Sequence, residues 1–418
     1  MKKYYLRLNV LIMSMLFFAG NIAAQKQETE NEQKIKTQFS GFIKSDLIYD
    51  SRQTFEAVDG LYTVYPKDKL LDDNGNDLNA KDNINMLSIS SRISLKISAP
   101  DVLGAKTTGY LEGDFTARSN SNSIRMRHAY VKLNWKKTEA LFGRTWHPLF
   151  VEEVFPSVLA LNTGVPFQAF NRSPQIRIRY NFTKQLDALF AAIYQNDYCS
   201  FGPNGRSAEY IRNAKIPNLH LQLKWKSKLA TFGLAGDYKK LMPRTNIKSP
   251  QNKTYETSTT IASYALMAYF KIKKSIFEFK TKTMLGQNLS EHLLTGGYAV
   301  SEIDNKGYEK YTPSNNFYFW SNLAVGKQLK GRLFFGFTKN LGFSDNVAGY
   351  IYARGANIDK IIRLAPSVEY QIKKLRFFLE FESTSAHYGD IEYRNSGKVN
   401  NTHKITNKRV QFTTFLFF

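Results

Sequence analysis

From Phe39 to the last residue the chain returns again and again to one pattern, apolar and polar residues in strict alternation, and nothing constrains its fold more. In Leu87–Ile97, Leu87, Ile89, Ile93, Leu95 and Ile97 fall on one face, and Ser88, Ser90, Arg92, Ser94 and Lys96 on the other. Leu219, Leu221, Leu223 and Trp225 oppose His220, Gln222 and Lys224 in the same way. So do Ile176, Ile178, Tyr180 and Phe182 against Arg177 and Arg179, and Leu375, Phe377, Leu379 and Phe381 against Arg376, Glu380 and Glu382. A period of two is the mark of a β-strand with two unlike faces.

The pattern predicts strands over 39–50, 84–97, 105–118, 124–135, 138–146, 174–182, 186–198, 216–226, 229–240, 258–273, 275–288, 316–327, 331–343, 359–372, 374–387 and 404–418. That is about sixteen, an even number. Tight, basic turns such as Lys136-Lys137, Thr183-Lys184, Ser227-Lys228 and Lys373-Lys374 alternate with long polar loops at 51–83, 147–173, 199–215, 241–257, 289–315, 344–358 and 388–403. Short turns at one end and long loops at the other are the plan of a transmembrane antiparallel β-barrel.

A soluble β-sandwich would also alternate, with its apolar face as core. Strand length separates the two: many segments run 11 to 15 residues, whereas a tilted membrane-spanning strand needs about 9 to 11 and a sandwich strand about 5 or 6. Closure into a barrel also removes the edges that so many long strands would expose. No apolar run is long enough for a spanning helix; Ile261–Phe270 is the longest candidate and contains Ser263. Aromatic residues make up 14% of the chain, yet mean hydropathy is only −0.39, as expected of strands apolar on one face.

The first residues read as a secretory signal peptide: basic Lys2, Lys3 and Arg7, an apolar run from Leu8 to Ala19, and small residues before a cut between Ala24 and Gln25. Loss of Lys2, Lys3 and Arg7 takes the 58 basic residues to 55 against 35 acidic ones, a net charge of +20. Residues 25–38 read as a short periplasmic tail and 39–418 as the barrel domain. At the other end Val410, Phe412, Thr414, Leu416 and Phe418 share one strand face, and a terminal Phe418 in that setting resembles the signal read by outer-membrane assembly machinery.

Two stretches carry a family resemblance. Ile124-Arg125-Met126-Arg127-His128-Ala129-Tyr130-Val131 resembles a strand of Gram-negative porins. Phe142-Gly143-Arg144-Thr145-Trp146, with Asn171-Arg172-Ser173-Pro174-Gln175-Ile176-Arg177-Ile178-Arg179-Tyr180, resembles the DcaP-like porin family. The motif-level match covers 124–182; elsewhere it is architectural. The resemblance implies a homotrimer of sixteen-stranded barrels in the outer membrane, in contact with lipid and lipopolysaccharide, each with its own pore for small organic anions. Family members often carry a longer coiled-coil tail, which 25–38 is too short to form.

The loop from His147 to Ser173 is apolar for a surface segment, with Pro148-Leu149-Phe150-Val151, Val154-Phe155-Pro156, Val158-Leu159-Ala160-Leu161 and Val165-Pro166-Phe167. Such a loop should leave open water and fold inward as a constriction, with Glu152 and Glu153 facing basic strand residues; a cap on other loops or on a trimer interface is the alternative. Candidate pore-lining residues are Arg92, Lys96, Arg125, Arg127, Arg144, Arg177, Arg179, Lys224, Lys280, Lys282, Arg363 and Arg376, because rings of Arg or Lys favour anions across a wet pore. Arg125 and Arg127 share parity with Ala129, Val131, Leu133 and Trp135, so either a bulge turns them inward or they sit at the outer rim.

No enzyme is expected, and no cofactor or metal. The histidines (His128, His147, His220, His292, His387, His403) are scattered without zinc-like spacing and without the His-x-Ser pair of an outer-membrane phospholipase. Asp72-Asp73-Asn74-Gly75-Asn76-Asp77 has Asp77 where a calcium loop wants Gly, and Asn83 where it wants Glu. The lone Cys199 forms no intramolecular disulfide and is expected at the end of a strand near the outer rim. Export and the even spread of Lys and Arg argue against nucleic acid. A loop-plugged barrel acting as an adhesin or structural protein is the alternative function.

Overall fold

The alternating segments pair in chain order, each with its neighbours in sequence, and the last returns to the first. A computed structural model describes residues 34–117, 123–159 and 164–418. The expected signal peptide, most of the tail, Arg118 and the Ala160-Leu161 pair lie outside the described residues. The barrel strands are β1 (Lys36–Asp50), β2 (Asn83–Leu87, resumed at Arg92–Ser98), β3 (Lys106–Asp114), β4 (Arg125–Asn134), β5 (Thr138–Trp146), β6 (Arg172–Asn181), β7 (Leu186–Ile193) and β8 (Asn218–Lys226). They continue as β9 (Ala230–Leu241), β10 (Ile261–Lys274), β11 (Phe277–Gln287), β12 (Glu309–Gly326), β13 (Leu329–Phe343), β14 (Ile358–Ile372), β15 (Leu375–Glu392) and β16 (Lys398–Phe417). β1 pairs with β2 on one edge and with β16 on the other, in a register running from Phe42↔Phe417 to Asp50↔Arg409, so the sixteen-stranded antiparallel sheet is closed. No helix among the described residues is long and apolar enough to cross a membrane.

Which face points where decides between barrel and sandwich. On β8, Leu221 and Leu223 are 58% and 50% exposed, while Gln222 and Lys224 between them are each 5% exposed. On β16, Val410 is 41% exposed and Gln411 only 1%. The apolar side is outside and the ionic side is enclosed, the inverse of a water-soluble sandwich and the requirement of a barrel whose exterior meets hydrocarbon. Trp135, Tyr180, Phe182, Trp225 and Tyr370 stand exposed beside the short turns, where an aromatic girdle marks the membrane interface. Leu221→Arg is therefore expected to cost about 2–4 kcal/mol of barrel stability, read as a lowered urea midpoint in liposomes; an unchanged midpoint would put this face in water.

β4 carries a bulge. Glu112 lies opposite His128 but Gly113 lies opposite Met126, so Arg127 is the extra residue. The parity change turns Arg125 and Arg127 into the lumen, leaves Met126 and Val131 outside, and selects the bulge over the rim placement.

Strand ends depart from the expected ranges mostly at the long-loop end. β12 begins at Glu309 rather than 316, β15 runs on to Glu392, and β16 starts at Lys398, so the expected loop at 388–403 shrinks to 393–397. These extensions stand clear of lipid, both faces can be polar, and no alternation betrays them. β7 ends at Ile193 rather than 198, leaving Cys199 buried in the following loop and not at a strand end. β1 begins at Lys36, inside the segment expected to be tail.

Candidate constriction and lumen

The loop after β5 folds into the barrel. His147 starts it by accepting the Leu149 N–H on Nδ1 at 3.2 Å, capping a 3-10 turn at Pro148–Phe150. Lys282 Nζ on β11 donates to the Leu149 and Phe150 carbonyls, both at 2.8 Å. Further along, Ser157 N–H reaches Asn322 Oδ1 at 3.1 Å, Leu159 N–H reaches Glu380 Oε1 at 3.1 Å, and Arg363 donates to the Val165 carbonyl at 2.7 Å. Gln168 is held from both sides, accepting from Trp320 Nε1 at 2.8 Å and donating to the Phe150 carbonyl at 2.7 Å. Leu149, Val151, Val154, Val158 and Phe167 pack on Tyr318, Trp320 and Phe334 of the wall. Gly336 admits this contact, since a Cβ there would lie 2.4 Å from the Phe167 ring. The apolar loop thus escapes water by making its own core inside the lumen.

A second segment enters the lumen from the loop that reads as polar over its whole length, carried by its apolar stretch Leu61, Tyr62, Val64 and Tyr65. The loop after β1 forms a hairpin, Thr54–Ala57 with Tyr62–Pro66. Arg363 donates to the Thr63 carbonyl at 3.1 Å, Arg409 to the Gly60 carbonyl at 2.8 Å, and Tyr388 to the Pro66 carbonyl at 2.6 Å. Next to it, Asp72 accepts the Asn74 and Asn76 amides of its own exposed turn, which accounts for the calcium-like alternation there.

The predicted lining residues fall into groups. Arg125, Arg127 and Arg92 gather on two carboxylates: Arg127 meets Glu112 and Asp114 at 2.6 Å each, Arg125 meets Asp114 at 3.5 Å, and Arg92 meets Glu112 at 3.4 Å. Arg144 pairs with Asp197 at 2.5 Å. Arg179 and Lys224 share Asp187, at 3.5 and 3.4 Å, and Lys224 also reaches Glu153 at 3.2 Å. Lys280 pairs with Glu278 at 2.7 Å and lies over the Phe155 ring. Arg363 meets Glu382 at 3.2 Å, and Arg376 meets Glu369 at 3.6 Å while stacking over Phe415 and Phe417. Arg177 is held by Gln175 and the Trp146 carbonyl, and Lys282 by carbonyls alone. Glu152 is exposed toward the cavities on the loop, and Lys96 is exposed at the short-turn end, away from the other cations.

Two cavities lie beside these groups, and the constriction loop lines the inner one. The outer one, about 720 Å³, is lined by Arg125, Arg144, Glu56, Asp59 and Asp197. The inner one, about 410 Å³, mixes Lys44, Arg92, Arg127 and Arg376 with Trp146, Phe150, Phe155 and Phe415.

Glu153 anchors the loop tip. Burial alone would raise its carboxyl, but Lys224 and Lys226, each 3.2 Å away, outweigh that and hold it below its ordinary value. A depressed folded-state value means that the pairing contributes fully above the unfolded carboxyl's range and is lost as pH falls through the lower one. Current recordings should be quiet from pH 5 to 8 and show excess loop-gating noise below about pH 4; noise independent of pH would show that Glu153 does not anchor the tip.

Reading along the sequence missed several lumen residues. Lys44 pairs with Asp46 at 2.8 Å, Arg409 with Asp50 at 2.6 Å, and Lys239 with Glu291 at 2.5 Å. Arg172 lies inside the motif already noted; it bonds the Tyr198 hydroxyl at 2.9 Å and stacks on Trp146 and Phe170. Three of the scattered histidines also meet. His147 is beside His292 (ring centroids 4.6 Å) and His220 (5.8 Å), and His220 Nδ1 is 3.0 Å from Asp237 Oδ2. Burial, with neighbouring His and Lys charges, pushes His147 and His292 well below an ordinary imidazole, so both are neutral at pH 7.

No family model and no curated protein matches the chain. Solved structures do. The outer membrane channel DcaP of Acinetobacter baumannii superposes with a TM-score of 0.66 at 14% identity, covering 93% of this chain and 99% of that one. An anion-selective porin from Comamonas acidovorans gives 0.58 at 10% identity, covering 92% and 100%. The trimer form of OmpT from Vibrio cholerae gives 0.53 at 10%, again covering 92% and 100%. At such identities the likeness is one of fold, and the fold of this chain is that of a DcaP-like outer-membrane porin: a closed sixteen-stranded antiparallel barrel with an apolar belt, made for the outer membrane.

Proposed function

We propose that this chain is a passive outer-membrane pore for small hydrophilic solutes that favours anions such as organic carboxylates or phosphate. The observation that carries the anion preference is charge left uncompensated beside the constriction. Among the described residues, Arg172 and Arg177 have hydroxyl, amide and carbonyl partners but no carboxylate within ion-pair distance. In a water-like medium a fixed charge about 8 Å away shifts a monovalent ion by about 0.5 kcal/mol, so a few such charges bias a narrow, wet path without trapping the solute. The name of the Comamonas acidovorans neighbour, an anion-selective porin, agrees with this reading.

Assembly as a homotrimer is part of the proposal, supported by the trimer form of the OmpT neighbour. So are contacts with lipid and lipopolysaccharide, delivery by outer-membrane assembly machinery through Phe418, and the absence of catalysis. Planar-bilayer recording of the purified chain should give steps in multiples of three, with a reversal potential under a KCl gradient set by chloride. The entry of two loops into the lumen, not one, favours a second reading as a plugged structural barrel, for which no conductance steps would appear.

A further inference from the structure

We propose that His147, His220 and Asp237 form a binding site for a divalent transition-metal ion of zinc-like preference. The residues come from three elements. His220 on β8 and Asp237 on β9 are register partners, and His147 is the first residue of the constriction loop. Their ligand atoms all lie within 4.8 Å of one another. His147 Nε2 lies 3.6 Å from Asp237 Oδ2, against roughly 3.4 Å between ligands of a tetrahedral zinc, and the 3.0 Å hydrogen bond from His220 Nδ1 to the same carboxylate oxygen is the contact that an ion held through Nδ1 would replace.

The second observation is independent of proximity. Among the described residues, His147 Nε2, the nitrogen that faces Asp237, is buried with no hydrogen-bond partner, in a residue 2% exposed; the neighbouring His292 ring has none at either nitrogen. An orphaned buried polar atom costs about 1–3 kcal/mol, and several at one point indicate a missing partner that takes nitrogen lone pairs. Two imidazoles with one carboxylate, leaving a fourth position for solvent, suit zinc, cobalt, nickel or copper, whereas calcium and magnesium take oxygen. His147 adds a consequence. Ligation through Nε2 leaves its ring proton on Nδ1, facing the Leu149 N–H that now donates to that atom, so occupancy opens the cap at the root of the constriction loop.

Cobalt(II) titrated into the untagged, folded full chain in detergent should bind one ion per chain and develop the intense visible absorption of a four-coordinate site. His220→Ala should weaken binding at least about tenfold, and His403→Ala, at an exposed histidine paired with Asp68, should leave it unchanged. Should His220→Ala fail to fold, as judged by heat-modified gel mobility, His147→Gln in the loop provides the same comparison. Absence of stoichiometric cobalt, or binding that survives both substitutions, overturns the site, whatever bilayer recordings say of the pore.

Discussion

Replacing Arg177, Arg179 and Lys224 together by glutamine is expected to lower the preference for anions about tenfold. Arg177 and Arg179 on β6 and Lys224 on β8 line a small cavity with His147, Glu152, Glu153 and Gln222, where the constriction loop meets the wall. Each contributes about 0.5 kcal/mol to a monovalent anion at about 8 Å in a water-like medium, and three sum to about 1.5 kcal/mol, or a factor of about ten. The substitutions also remove both cations from Asp187 and leave Glu153 with Lys226 alone, so the site becomes net acidic and the change runs in one direction. Reversal potential under a salt gradient reads the effect; a value equal to that of the unmodified protein would remove this wall from the conduction path. Raising salt toward 1 M should shrink the difference, because screening then acts over about 3 Å.

Arg409→Leu should be the most damaging single substitution in the barrel, costing about 3–5 kcal/mol. Arg409 is 2% exposed and grips Asp50 with Nε at 2.9 Å and Nη2 at 2.6 Å, across the seam where β16 closes on β1. Its loss strands a buried carboxylate with Asn407 as its remaining side-chain donor, at 2.7 Å. It also releases the Gly60 and Leu61 carbonyls and with them the tip of the first loop's hairpin. Urea-dependent loss of the folded band on unheated gels measures the cost. A shift below about 1 kcal/mol would mean that water reaches the pair and screens it. The double variant Arg409→Leu with Asp50→Leu should recover much of the loss, because two apolar partners leave no charge unpaired.

The strands were legible because lipid imposes a rule on every spanning residue of one face, and a rule with period two survives in the order of residues. The two unlike faces of β8 and β16 could be read directly, and so could the apolar loop after β5; the exposures of Leu221 and Val410 settled which face is outside. The hairpin Thr54–Ala57/Tyr62–Pro66 was only half legible: its carbonyls given to Arg363, Arg409 and Tyr388 leave no trace in residue type, while its buried Leu61, Tyr62, Val64 and Tyr65 form a short apolar stretch inside a loop that is polar as a whole. Arg127 fell between, since its parity conflict announced that something had to give, and only the pairing of Glu112 with His128 identified it as a bulge.

By itself, then, the sequence determined the alternating strands, their approximate number and the alternation of short turns with long loops, because each follows from local periodicity against a medium that penalises error at every second residue. The tertiary structure alone decided which cations meet carboxylates and which meet carbonyls. It alone brought His147, His220 and His292 together from positions more than seventy residues apart in the chain. Strand tilt, closure and loop entry set those distances, and none of them is a local property of the chain.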